Sequence, residues 1–98
     1  MSYFLYKLLP PRTTFMADMT AAERALMQEH ATYWRGLMAQ GFVIAFGPVA
    51  DPNGPYGIAI LRTEGADEAR RLAADDPVIR ATAGFGFDVH AMPSVVHP

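Results

Sequence analysis

The sequence predicts an α+β domain with the element order β-α-β-β-α-β. Three observations carry that expectation. A threonine–glutamate capping box opens a long stretch of helical periodicity from Thr20 to Gln40, closed by Gly41. Four short runs rich in aromatic and aliphatic residues are bounded by proline and glycine, the marks of strands. A second, shorter helical pattern lies between the third and fourth of these runs.

The first strand is read over Tyr3–Leu9, where Pro10-Pro11 ends the ladder because proline has no amide hydrogen to donate. Residues 10–19 read as a connection, long for a short domain; Arg12, Phe15 and Met16 could fold over a site, but a plain connector is the favoured reading. In Thr20-Ala21-Ala22-Glu23 the threonine hydroxyl and the glutamate carboxylate each satisfy the other's free amide. The helix that follows places Leu26, His30, Tyr33, Trp34, Leu37 and Gly41 at three-and-four spacing on one face. Gly41 suits the left-handed position after the last turn.

Phe42–Phe46 reads as the second strand, followed by a turn-rich stretch, Gly47 to Pro55, with Asn53-Gly54 at its tip. Tyr56–Arg62 is the third strand, antiparallel to the second. Gly65–Ala74 is a shorter helix with Ala66, Ala69, Leu72 and Ala73 inward and an Asp67–Arg71 pair outward. Asp75-Asp76-Pro77 starts another turn, Val78–Thr82, before a fourth strand over Phe85–Met92. The order is that of the ferredoxin-like split βαβ arrangement: a four-stranded antiparallel sheet with two helices on one face.

Counting faces adds a partner. The first strand offers Tyr3, Leu5 and Leu9 to one side and Phe4, Tyr6 and Leu8 to the other. The second offers Phe42, Ile44 and Phe46 against Val43 and Ala45, and the third Ile58 and Ile60 against Ala59 and Leu61. Strands apolar on both sides are buried on both sides. Two helices cover only one side, so a homodimer through the sheet face is expected.

The chain of 98 residues is read as one domain, residues 1–98, with 93–98 as a tail. Charged residues are 18%, against about 25% in typical domains, while 51% are hydrophobic. That composition excludes intrinsic disorder. A net charge of −2 with eight scattered Lys and Arg argues against nucleic acid and against an anionic membrane surface. Without cysteine there is no thiolate catalysis and no disulfide framework. The start of the chain lacks a signal-peptide pattern and no apolar run is long enough to span a membrane, so a soluble, cytoplasmic protein is expected.

His30 is the first candidate for chemistry, because it stands where the apolar stripe of the long helix calls for an aliphatic residue. It admits two readings: a histidine satisfied within the core, or a general acid or base, since imidazole titrates near neutral pH. The second reading requires a carboxylate to orient the ring. Asp76 is the obvious supplier, although Asp76-Pro77 is equally a helix start with aspartate as cap and proline in the first turn. The two roles are compatible, because a carboxylate held by backbone amides is a fixed partner for imidazole. His90 and Asp88 share the second sheet face and read as interface or structural residues, and His97 is in the tail. The three histidines lack metal-ligand spacing, no phosphate loop is present, and Ser94 in the tail offers no nucleophile for a triad. No metal or cofactor is expected.

Several short motifs fall in one order: Met19-Thr20 through Glu23, His30-Ala31-Thr32-Tyr33-Trp34, Gly41-Phe42-Val43, Gly47-Pro48-Val49, Asp51-Pro52-Asn53-Gly54 and Asp75-Asp76-Pro77-Val78. In that order the chain, from Tyr3 to about Met92, resembles the YciI-like (YCII-related) family of the dimeric α+β barrel group. The resemblance implies a ferredoxin-like fold dimerised sheet to sheet, and a site pairing His30 with Asp76. The better understood relatives handle small, often aromatic or chlorinated, ring compounds by acid–base chemistry without a metal. The function expected here is a cofactor-free enzyme of the lyase or isomerase type acting on a small cyclic or aromatic substrate. His30 and Asp76 would be its catalytic pair, with Tyr33, Trp34, Phe46, Gly47 and Pro48 around the substrate. A small-ligand-binding or accessory module and a cofactor-free monooxygenase are the alternatives.

Overall fold

The computed structural model describes residues 1–98. Its elements are β1 (Ser2–Leu9), α1 (Phe15–Asp18), α2 (Ala21–Ala39), β2 (Val43–Val49), β3 (Tyr56–Thr63), α3 (Ala66–Ala74), α4 (Pro77–Arg80) and β4 (Gly86–Met92). The strands form one sheet in the order β2-β3-β1-β4, and every neighbouring pair is antiparallel. The expected α+β, ferredoxin-like arrangement is therefore present, with two short helices, α1 and α4, added to the two long ones.

Alternation along β1 sends Phe4, Tyr6 and Leu8 to the helical side, where they are buried. Ala59 and Leu61 of β3 and Val43 of β2 join them, and Trp34 and Leu37 of α2 close the layer from above. Trp34 is wholly buried, so truncating it to alanine would cost about 3–5 kcal/mol. Ala69 and Ala73 bring α3 close, because their small side chains leave room for the backbone to approach the sheet.

The first turn of α2 is capped as its residues dictate. Thr20 Oγ1 accepts from the Glu23 amide at 3.1 Å, and Glu23 Oε1 accepts from the Thr20 amide at 2.9 Å. At the far end Gly41 has φ +88°, the left-handed conformation that glycine adopts at least cost.

Four expectations are corrected. Gly47-Pro48-Val49 is the end of β2, where a turn was expected. Proline is tolerated there because β2 is an edge strand whose outer amides have no ladder partner. A register shift between Val43 and Ala45 inserts an extra residue, so Val43 opposes Leu61 and Phe46 opposes Ala59. Both therefore face the helices, and simple alternation, which had put Phe46 on the side opposite Val43, fails at this bulge. Within residues 10–19 the chain forms the helical turn α1, with Phe15 buried. On α3 Arg71 pairs with Glu68 at 3.6 Å, one residue nearer than Asp67.

The opposite sheet face carries Tyr3, Leu5, Ile58 and Ile60, all half-buried, and no helix of this chain covers it. The registers Leu5–His90 and Lys7–Asp88 place both polar residues of β4 on that face, as alternation predicts. No helix is long and apolar enough to cross a membrane.

Candidate active site

Asp76 is the N-cap of α4, and its carboxylate is fully buried. Its Oδ1 accepts from the Val78 amide at 3.1 Å, the bond that an aspartate before a first-turn proline makes. Its Oδ2 collects three side-chain donors: His30 Nδ1 at 2.7 Å, Trp34 Nε1 at 2.7 Å and the Tyr6 hydroxyl at 2.9 Å. One carboxylate thus joins β1, α2 and α4. His30 and Trp34 reach it together because residues four apart stack on one helix face. The Tyr6 and Trp34 rings stack at 4.7 Å, which fixes the angle at which both donors approach.

Burial, the largest influence on Asp76, pushes its carboxyl up. The hydrogen bond and charge of His30, then Trp34 and the Val78 amide, outweigh it and hold the group below the ordinary aspartate value. Asp76 is therefore an acceptor only. Burial and then the Asp76 charge raise Tyr6 far above the ordinary phenol value, so its hydroxyl stays a donor.

Facing an ionised carboxylate, which can only accept, Nδ1 of His30 carries a hydrogen, and Nε2 is left without a hydrogen-bond partner in the protein. The His30 side chain keeps 13% of its exposure, and the ring lines a cavity of about 420 Å³. Ligand pockets span about 300–1,000 Å³.

Phe46, Gly47 and Pro48 line this cavity together with His30. Tyr33 and Trp34, expected beside the substrate, do not. Trp34 points down onto the sheet and donates to Asp76, while Tyr33 turns to α3 and donates to the Leu72 carbonyl at 2.6 Å. Burial, then the charges of Asp75 and Asp76, push the Tyr33 hydroxyl up to about 12.

The segment before α2 supplies another wall through Phe15, Met16 and Met19. Arg12 fastens it. Its Nε bonds Asp18 Oδ1 at 2.7 Å, and its Nη1 and Nη2 grip the two oxygens of Glu23, both at 2.8 Å. Arg12, followed by the Thr20 amide, holds the Glu23 carboxyl down at about 2. Glu23 thereby serves the helix cap and the cavity wall at once.

Two participants escape a reading of the sequence alone. Tyr6 had a signal, since a tyrosine between Phe4 and Leu8 on a core face must find a partner for its hydroxyl. Arg35, which lines the cavity five residues after His30, had none. His90 lies exposed on the open sheet face and His97 beside Tyr3, both away from the cavity. No three His, Asp or Glu side chains cluster closely enough to hold a metal ion.

Among curated proteins none matches the chain. Among solved structures, a 5-chloro-2-hydroxyhydroquinone dehydrochlorinase from Burkholderia phenoliruptrix AC1100, in complex with 2,5-dihydroxybenzoquinone, is similar in fold. The TM-score is 0.54 at 15% identity, covering 90% of this chain and 91% of that one. A protein of unknown function from Galdieria sulphuraria matches with a TM-score of 0.49 and 12% identity, covering 99% of this chain and 48% of that one. The YCII-related domain model matches residues 1–93, and the chain belongs to that family.

Proposed function

We propose that this protein is a cofactor-free acid–base enzyme of the lyase or isomerase type, acting on a small cyclic or aromatic substrate. One observation carries the reading. His30 is held by a buried carboxylate through Nδ1, which leaves Nε2 free beside a largely apolar cavity of about 420 Å³.

In this reading His30 Nε2 removes a proton from a ring hydroxyl, and the imidazolium returns it to a ring carbon, giving the keto tautomer. Where the protonated carbon bears chlorine, deprotonation of a second, conjugated hydroxyl expels chloride and leaves a quinone, a net loss of HCl. Stopping at the keto tautomer is isomerisation, and going on to lose chloride is elimination. Asp76 orients the ring and stabilises the imidazolium without itself taking up the proton. Phe46, Gly47 and Pro48 shape the cavity wall beside His30. The dehydrochlorinase of similar fold makes elimination from a chlorinated hydroxyhydroquinone the first reaction to try.

The test is release of chloride and formation of a quinone from chlorinated hydroxyhydroquinones, measured for the native protein and for His30→Ala. Loss of a general base costs about 100- to 10,000-fold in rate. Equal turnover by both proteins would remove the dyad from the mechanism. A second reading, a ligand-binding module, is favoured by the structural part Asp76 plays, since the carboxylate would tie three elements together whatever His30 does. Ligand binding with no product from any ring substrate would support it.

The second copy belongs to the same proposal. Tyr3, Leu5, Ile58 and Ile60 form an apolar face that a sheet-to-sheet homodimer would cover. Light scattering should give twice the mass of the chain, and Ile60→Glu should give the monomer. A native monomer at micromolar concentration would contradict it.

A further inference from the structure

The cavity beside His30 is lined chiefly by apolar side chains, and only one of its residues carries a permanent charge. That residue is Arg35. No Asp or Glu lines the cavity to neutralise it, and Arg35 is absent from the ion pairs of the chain, which engage Arg12, His30 and Arg71. Five residues along α2 put its Cα about 7.5 Å from that of His30 along the axis. Both residues line the same cavity, and the flexible stem of Arg35 gives its guanidinium reach at the exposed edge.

We infer that Arg35 is a specificity residue, selecting substrates whose ring bears an anionic oxygen, either a carboxylate or an ionised hydroxyl. The inference rests on the cavity being the substrate site and adds the charge of the substrate. A guanidinium presents paired donors to such oxygens, and its planar fork meets a carboxylate in a two-bond geometry. At the edge of an apolar cavity it attracts an anion more strongly than it would in open water, because part of the screening solvent is displaced. Met16, Met19 and Met27 on the walls adapt to the ring without specifying its polar groups. The selection between charged and neutral rings therefore falls to Arg35. With His30 Nδ1 engaged by Asp76, Arg35 is the one cavity residue with a permanent positive charge and no partner.

The experiment is titration calorimetry with two matched pairs, benzoate against benzamide and 4-nitrophenolate against 4-nitroanisole. The carboxylate and the ring oxyanion are thereby tested separately. In the native protein at low salt the better anion binds about tenfold tighter than its neutral partner. The preference shrinks as salt is raised, because Arg35 is exposed. Arg35→Met removes the preference while leaving the neutral ligands unchanged, and Arg35→Lys keeps part of it. Equal binding of charged and neutral partners, an undiminished preference in Arg35→Met, or no binding of either anion at millimolar concentration would overturn the inference. His30→Asn separates it from the reading it rests on: the anion preference persists in that variant while turnover is lost. If the preference follows Arg35 but turnover ignores His30, the acid–base reading fails and the anion site stands.

Discussion

Replacing Asp76 with asparagine changes one atom and tests the carboxylate that holds the site together. The side chain keeps its shape, but one oxygen becomes a donor. If the amide nitrogen takes the Oδ1 position it faces the Val78 amide, and the helix cap is lost, at about 1 kcal/mol. The remaining oxygen still receives His30, Trp34 and Tyr6, but as a neutral acceptor. Hydrogen bonds to charged groups contribute about 1.5–3 kcal/mol and neutral ones about 0.5–1.5 kcal/mol, so each of the three weakens by about 1 kcal/mol. The opposite orientation keeps the cap but leaves the Trp34 N–H, which cannot accept, facing another donor. Its cost is similar.

The gross loss is therefore about 4 kcal/mol. Relief from burying a charge offsets part of it. It cannot offset all, because the carboxyl sits below its ordinary value and the donors therefore outweigh burial. A net loss of about 2–3 kcal/mol is expected, from a total of about 5–15 kcal/mol for a chain of this length. Thermal unfolding at fixed protein concentration and neutral pH should show Tm lower by about 10–20 °C. The same comparison in acid supplies an internal control. A group whose folded pKa is depressed stabilises above its unfolded pKa and loses that contribution as pH falls through the folded value. The gap between the native protein and Asp76→Asn should therefore narrow below about pH 4, the ordinary aspartate range. A Tm lowered by under about 3 °C at neutral pH, or a gap unchanged in acid, would refute the ionised hub.

Three further outcomes are expected. Gly36→Ala and Gly41→Ala should move stability in opposite directions in urea unfolding. An added Cβ meets nothing within 4 Å at either site, but Gly36 lies inside α2, where alanine gains about 1 kcal/mol, and Gly41 has φ +88°, where alanine loses about 1–2 kcal/mol. Arg12→Met should speed amide hydrogen exchange over residues 12–19 with only a modest loss of Tm, since it releases a wall segment tied to α2 by one part-buried ion pair, Arg12–Glu23, and braced within itself by Arg12–Asp18. Acid should loosen the same segment in the native protein. Glu23, held at about 2, keeps its grip above the ordinary glutamate value near 4.3 and loses it as pH falls from there towards about 2. Protection, meaning exchange corrected for the intrinsic rate at each pH, should fall across that window in the native protein and change less in Arg12→Met.

Much of this fold is written locally. The capping box, the glycine stop and the alternation of Phe4, Tyr6 and Leu8 each act within a few residues, and each is legible because its chemistry has one efficient solution. What escapes is set by partners far along the chain. The bulge after Val43 reverses the facing of Phe46, and only the register against β3 reveals it. The turn of α1 spans four residues and shows no periodicity. It is fastened by Arg12, whose partners lie six and eleven positions away. Trp34 shares its helix stripe with His30, yet only His30 lines the cavity. The stripe is wide enough to face two ways, and the indole N–H, which must be satisfied when buried, is drawn to Asp76 instead.

The position of Asp76 also constrains how the site can be dissected. Its carboxylate caps α4, anchors Tyr6 and Trp34, and orients His30, so any substitution there mixes stability with chemistry. His30 carries no such burden. Its ring contributes one of four bonds at the carboxylate, and removing it leaves Oδ2 with the Tyr6 and Trp34 donors and Oδ1 with the Val78 amide. The charge at Asp76 remains buried and hydrogen-bonded. His30→Ala should consequently fold, at a smaller loss of stability than Asp76→Ala, which strands three side-chain donors and a helix end. If activity falls in both variants but only Asp76→Ala loses secondary structure in circular dichroism, the histidine carries the chemistry and the aspartate carries both. If His30→Ala unfolds as readily as Asp76→Ala, the histidine is itself part of the frame, and its loss of activity would say nothing about proton transfer.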